Sequence, residues 1–189
     1  MRECRPLHFS CLVGLLFLIS AAGHAESSKK PGDAAQTTSG SQAELLGTAD
    51  AWTAYAYSEK IGKVCYLTGK PKKSEPAGGK RKQPLAMVTH RPGEKIANVV
   101  SFVEGYPLKE GSEVSLDIGG AKFDLFTKGD SAWARTPELD KSIVEAMTKG
   151  KQATVKGMPQ KGSTTTDTYS LAGFAEALAL IDEACDVKR

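Results

Sequence analysis

Histidine is scarce in this sequence. Of three histidines, His8 and His24 fall within the first 25 residues, which leaves His90 alone in the body of the chain. One imidazole and a pair of oxidised cysteines do not make a zinc centre. The serines lack a Gly-x-Ser-x-Gly elbow, the strained turn on which many hydrolases mount a nucleophile. No Cys-x-x-Cys pair occurs, so thiol–disulfide exchange is not the expected chemistry. Asp117, Asp124 and Asp130 are too scattered for a calcium loop. No metal and no cofactor are expected. Neither sign of charge dominates, with 25 Lys and Arg against 22 Asp and Glu. Nothing in that balance calls for nucleic acid, and the basic stretch described below has no interleaved aromatics for base stacking.

Long apolar runs are also missing. The longest, from Cys11 to Ala22, falls short of the roughly 20 residues needed to cross a bilayer. With Arg2 and Arg5 before it and Ala-Gly-His-Ala at 22–25 after it, the run reads as a secretory signal peptide, 1–25, and no transmembrane span remains after cleavage. Residues 26–48 are rich in Ser, Lys, Gly, Thr and Gln and read as a flexible tether. Residues 49–189 form one domain with a single core. The expected location is the periplasm, with outer-membrane association or surface exposure as alternatives. Cleavage removes Cys4 and Cys11, and Cys65 and Cys185 remain. In an oxidising compartment they are expected to pair, against the rival readings of free thiols or an intermolecular bridge.

What is present is a succession of short β-prone segments: 51–57, 63–69, 85–90 and 98–105, punctuated by Gly and Pro. Gly119-Gly120 marks a two-residue hairpin turn. Counting outward pairs Ile118 with Ala121, Asp117 with Lys122, Leu116 with Phe123 and Val114 with Leu125. A shift by one residue would bury the charges. Thr136 and Pro137 open a helix that Gly150 ends, with Leu139, Ile143 and Met147 on one face. Strands follow around Val155 and over 165–170. Leu171, Phe174, Leu178, Ile181 and Cys185 then recur at spacings of three and four. Cys185 therefore lies on a buried helical stripe that packs on the sheet, where Cys65 sits. The predicted fold is mainly β (α+β): an antiparallel sandwich or open barrel with two short helices packed on it and one disulfide.

Candidate sites are few. Lys70, Lys72, Lys73, Lys80, Arg81 and Lys82 face a single Glu75 in a Gly/Pro-rich stretch. A flexible cationic loop of this kind attracts lipopolysaccharide phosphates or acidic polysaccharide, although most charge runs are merely solvated. Tyr106, in a turn after Gly105, and His90, at a strand end, are the candidate exposed ligand contacts. Trp52, Trp133, Tyr106 and Tyr169 are aromatics that a sugar or peptide groove would use, but Trp52 and Trp133 read better as core and core-edge packing. A hydrolase would draw on His90, Ser163 or Ser170, and Asp167.

The segments Trp52-Thr53-Ala54-Tyr55 and Cys65-Tyr66, the Gly105-Tyr106 pair, the run "GDSAW" and the run "DTYSLAGF" before the last cysteine resemble the invasion-associated locus B family over about Trp52 to Cys185. That family often has an arginine near Lys161, and the lysine-rich loop after Cys65 departs from its pattern. The resemblance implies an exported envelope protein, in some pathogens linked to host-cell invasion, and no catalytic residues. The leading expectation is a non-enzymatic envelope protein that binds an unknown envelope or host-surface partner. A periplasmic hydrolase or an accessory factor acting on envelope polymers is the alternative.

Overall fold

The computed structural model describes residues 42–76 and 81–189. The predicted signal peptide, residues 26–41 of the predicted tether, and Lys80 lie outside them. The elements run β1 (Glu44–Ala49), β2 (Trp52–Glu59), β3 (Gly62–Gly69), β4 (Lys73–Glu75), β5 (Leu85–Arg91), β6 (Ile96–Val103), β7 (Glu113–Ile118), β8 (Ala121–Lys128), β9 (Ser131–Trp133), α1 (Pro137–Lys149), β10 (Gln152–Gly157), β11 (Thr165–Ser170) and α2 (Phe174–Ala184).

The strands form one antiparallel sheet of 11 strands in the order β1-β2-β3-β5-β6-β9-β8-β7-β10-β11-β4. β2 and β11 stand near opposite ends of that order, yet Trp52 Nε1 donates to the Ser170 carbonyl at 3.0 Å. Phe102 of β6 likewise meets Tyr169 of β11 edge to face, with centroids 5.7 Å apart. The sheet therefore coils on itself until distant strands share one core. The β7–β8 hairpin pairs in the register read from its turn, and Gly119 and Gly120 supply the positive φ that this turn requires.

The helices form where their caps place them. Thr136 accepts the Leu139 N–H, Pro137 occupies the first turn, and α1 buries Ile143, Val144 and Met147. α2 buries Phe174, Ala177, Leu178 and Ile181, and Phe174 packs on Trp52 with centroids 5.0 Å apart. Gly173 begins α2 at φ 79°, where an added Cβ would stand 2.1 Å from the Ala49 carbonyl, so only glycine fits there. Cys185, at the end of α2, is bonded to Cys65 on β3 across 120 residues.

Two expectations need correction. The tether does not extend to residue 48, because Glu44–Ala49 pair with β2. The basic stretch is not wholly irregular either. Lys73–Glu75 form an edge strand on β11, and the Lys72 N–H bonds to the Thr168 carbonyl at 2.7 Å. Backbone donors near a sheet edge find acceptors when side-chain composition does not forbid it, and composition alone had hidden this.

Candidate functional site

His90 is not an exposed contact. It is fully buried, and both ring nitrogens are engaged. Nδ1 accepts the Asn98 N–H at 3.0 Å, and Nε2 lies 2.9 Å from Asp182 Oδ1. An accepting Nδ1 puts the proton on Nε2, which donates to Asp182. The need for this arrangement is local. The β5–β6 register slips between Thr89 and Arg91, and Asn98 takes a left-handed φ of 63°. His90 takes up the N–H of Asn98 at this bulge. Two residues along β6, beyond the end of its pairing with β9, Asp140 Oδ1 accepts the Val100 N–H at 2.8 Å. Burial pushes the Asp140 carboxyl up to about 6, against the opposing pull of that N–H. Arg189 also bonds to both Asp182 and Asn98. Burial alone would raise the Asp182 carboxyl, but the bonds from His90 and Arg189 outweigh it and the net shift is downward.

The basic residues do not act together. Arg81 is turned inward, paired with Asp167 and hydrogen-bonded to Ser74 at 3.0 Å. Lys73 pairs with Glu75 at 2.7 Å. Lys70, Lys72 and Lys82 remain exposed, and Lys80 lies outside the described residues. Tyr106 is half-buried rather than exposed. Its hydroxyl donates to Glu104 Oε2 at 3.0 Å and contacts Thr165, and Arg81 lies over its ring at 5.6 Å. Gly157 permits this approach, since a Cβ there would stand 2.7 Å from the Tyr106 hydroxyl. Glu104 and Asp167 carry no exposed surface. Burial and the neighbouring Asp167 charge push Glu104 up to about 7, against the Tyr106 hydrogen bond and Arg81.

This cluster joins β4, β11 and the segment after β6, and no polymer substrate can touch its carboxylates. Asp167 is held by Arg81 and His90 by Asp182, so neither is free for the hydrolase set weighed from sequence. Among the described residues, no group of three or more His, Cys, Asp or Glu side chains is arranged to hold a metal ion.

An open groove of about 700 Å³ lies on the face of the sheet opposite the core. Its floor is built by outward positions of interior strands. Tyr57 comes from β2, Val64 and Tyr66 from β3, and Met87 and Thr89 from β5. Val99, Ser101 and Val103 of β6 and Trp133 of β9 complete it, and Arg91 and Ile96 stand at one end. Tyr66 stacks on Tyr55 at 5.2 Å and meets Tyr57 edge to face at 6.0 Å. Burial raises the Tyr57 and Tyr66 phenols, as an apolar recess does. Arg91 is bound to Glu59 at 2.9 Å and to Glu94 at 3.1 Å. The volume lies in the range of small-ligand sites, and an apolar lining with few polar groups is their usual chemistry.

Trp133 is therefore a groove residue and not a core residue, whereas Trp52 is fully buried. The groove's residues had a signal that period-two reading passes over. In β2, β3, β5 and β6 the positions between core residues are themselves largely Tyr, Val, Met and Thr. A strand apolar on both faces is covered on both faces or offers one of them to a ligand.

Among the described residues, no helix is long and apolar enough to cross a membrane. No curated protein matches the chain. The fold is similar to that of invasion associated protein B from Bartonella henselae. Its crystal structure aligns at a TM-score of 0.53 and 16% identity, covering 76% of this chain and 99% of that one. A family model described as "Invasion associated locus B (IalB) protein" matches residues 52–182. The chain belongs to the invasion-associated locus B family.

Proposed function

We propose that the protein is an exported, non-enzymatic component of the bacterial cell envelope that binds a partner through the apolar groove, and that this binding contributes to contact with host cells. The groove carries the reading. Its lining suits a ligand, and it stands on strands that are each hydrogen-bonded on both sides, so its shape is held before anything binds. Family membership supports the envelope setting. The N-terminal 25 residues support export, since they have the charge, apolar run and small-residue cleavage site of a signal peptide. The exposed lysines at 70, 72 and 82 add a weak, salt-screened attraction to anionic envelope surfaces, without forming a pocket.

A photo-crosslinking residue placed at Met87 in the exported protein tests the site in intact cells. A defined adduct from position 87, absent when the same residue replaces exposed Lys122, is the expected result. Equal adducts at the two positions, or none at either, would overturn the reading. Met87→Arg, which puts a charge on the apolar floor, is expected to weaken capture at least about tenfold, equivalent to about 1.4 kcal/mol, with an unchanged circular dichroism spectrum.

A further inference from the structure

The groove's floor is made of side chains alone. β2, β3, β5, β6 and β9 each pair on both sides, so their backbone groups are largely spent on neighbouring strands. A peptide laid in the groove would bring an N–H and a C=O per residue and meet only scattered side-chain groups, the Tyr57, Tyr66, Thr89 and Ser101 hydroxyls and the Trp133 indole N–H. Buried backbone groups without partners are costly. A sugar would bring several hydroxyls per ring to the same few groups on a mainly aliphatic and aromatic floor. A hydrocarbon chain brings no such groups.

The dimensions agree. From Val103 to Val99 the groove follows β6 for about 13 Å at the usual strand rise, and it continues past the bulge to Ile96 and Arg91. One leaflet of a bilayer is about 15 Å of hydrocarbon, so a single acyl chain fits with room for the start of a head group. The Arg91 end carries both signs. Arg91 lies between Glu59 and Glu94, and all three side chains are about a third exposed, at 33%, 33% and 35%. A purely anionic head would meet two carboxylates there. A zwitterionic head can set its phosphate against Arg91 and its ammonium against Glu59 or Glu94.

We propose that the groove takes one acyl chain of a zwitterionic phospholipid, with the chain against Tyr66, Met87, Val99 and Trp133 and the head group at Arg91. This rests on the reading of the groove as the binding site and names its ligand.

The test uses the full exported protein, stripped of lipid, and single-chain lysophosphatidylethanolamine below its micelle concentration. A brominated chain quenches indole fluorescence on contact. Trp133 lines the groove and Trp52 is fully buried, so saturable quenching that disappears in Trp133→Phe reports the groove. Each two-carbon shortening of the chain is expected to weaken binding about tenfold. Lysophosphatidylglycerol of equal length is expected to bind several-fold more weakly, and Met87→Arg to abolish quenching. The chain-length series uses the wild-type protein and so does not depend on any variant folding.

Absence of quenching, or affinity independent of chain length, would overturn the proposal. If anionic and zwitterionic heads bind alike, the head-group assignment fails and the chain assignment stands. A protein adduct at position 87 without any lipid binding would sink the lipid while leaving the groove as the site. Failure of both experiments would remove the groove altogether.

Discussion

His90 shows what one side chain must do when a ladder slips. The bulge between Thr89 and Arg91 leaves the Asn98 N–H facing inward, and the imidazole takes it while donating to Asp182. Removing the ring would leave a buried donor and a carboxylate each short of a partner. His90→Ala is therefore expected to lower the unfolding free energy by about 1–3 kcal/mol, as measured by urea denaturation. A loss within about 0.5 kcal/mol of zero would show that water satisfies both groups and that the ring is dispensable. His90→Gln should recover part of the loss, since its amide can reach one of the two partners. This role was not legible in the sequence. A histidine beside Arg-Pro at a strand end looks exposed, and nothing local announces either a bulge or an aspartate 92 residues away. Arg81 misleads in the same way. It sits in a basic run, but its partner Asp167 lies 86 residues downstream.

At the scale of elements, local chemistry was far more readable. The Gly119-Gly120 turn set the β7–β8 register, and the Thr136 and Pro137 start and Gly150 stop set α1. The stripe from Leu171 to Cys185 set the buried face of α2. Each of these depends on residues within a few positions of one another, where spacing dictates which side chains share a face. The three-residue strand β4 escaped because its partner β11 is remote in sequence, whereas β1 and β9 fold back on their chain neighbours β2 and β8 but are too short and mixed in pattern to announce it. The Cys65–Cys185 bond fastens α2 to β3. Replacing both cysteines with alanine is expected to cost about 2–5 kcal/mol. Guanidinium melts of the double variant against the oxidised wild type would measure it. An unchanged midpoint would mean that the apolar stripe holds α2 in place without the bond.

Over the whole molecule, the coiling of one sheet brings ionisable groups together that no stretch of sequence contains, and their shifts give stability a pH dependence with two opposed arms. Glu104 is raised from 4.5 to about 7 by burial and by Asp167, and Asp140 from 3.8 to about 6 by burial. For each, the folded state holds its proton more tightly than the unfolded chain. Their contribution is full below the unfolded value and is lost as pH rises through the folded one. Asp182 works the other way: its carboxyl is lowered, so its contribution is present above its ordinary value of 3.8 and is lost as pH falls below it. Stability should therefore peak near pH 4 and decline from there to about pH 7, above which these groups add no further slope. Glu104 supplies about 3 kcal/mol of that decline from the size of its shift. Unfolding free energies across pH 4–8 for wild type and Glu104→Gln provide the measurement. The glutamine variant should flatten the fall between about pH 4.5 and 7, since it cannot ionise beside Asp167. If the wild type is as stable at pH 8 as at pH 5, the buried carboxylate is not carrying its proton, and the coiled sheet accommodates a second negative charge next to Asp167 without penalty.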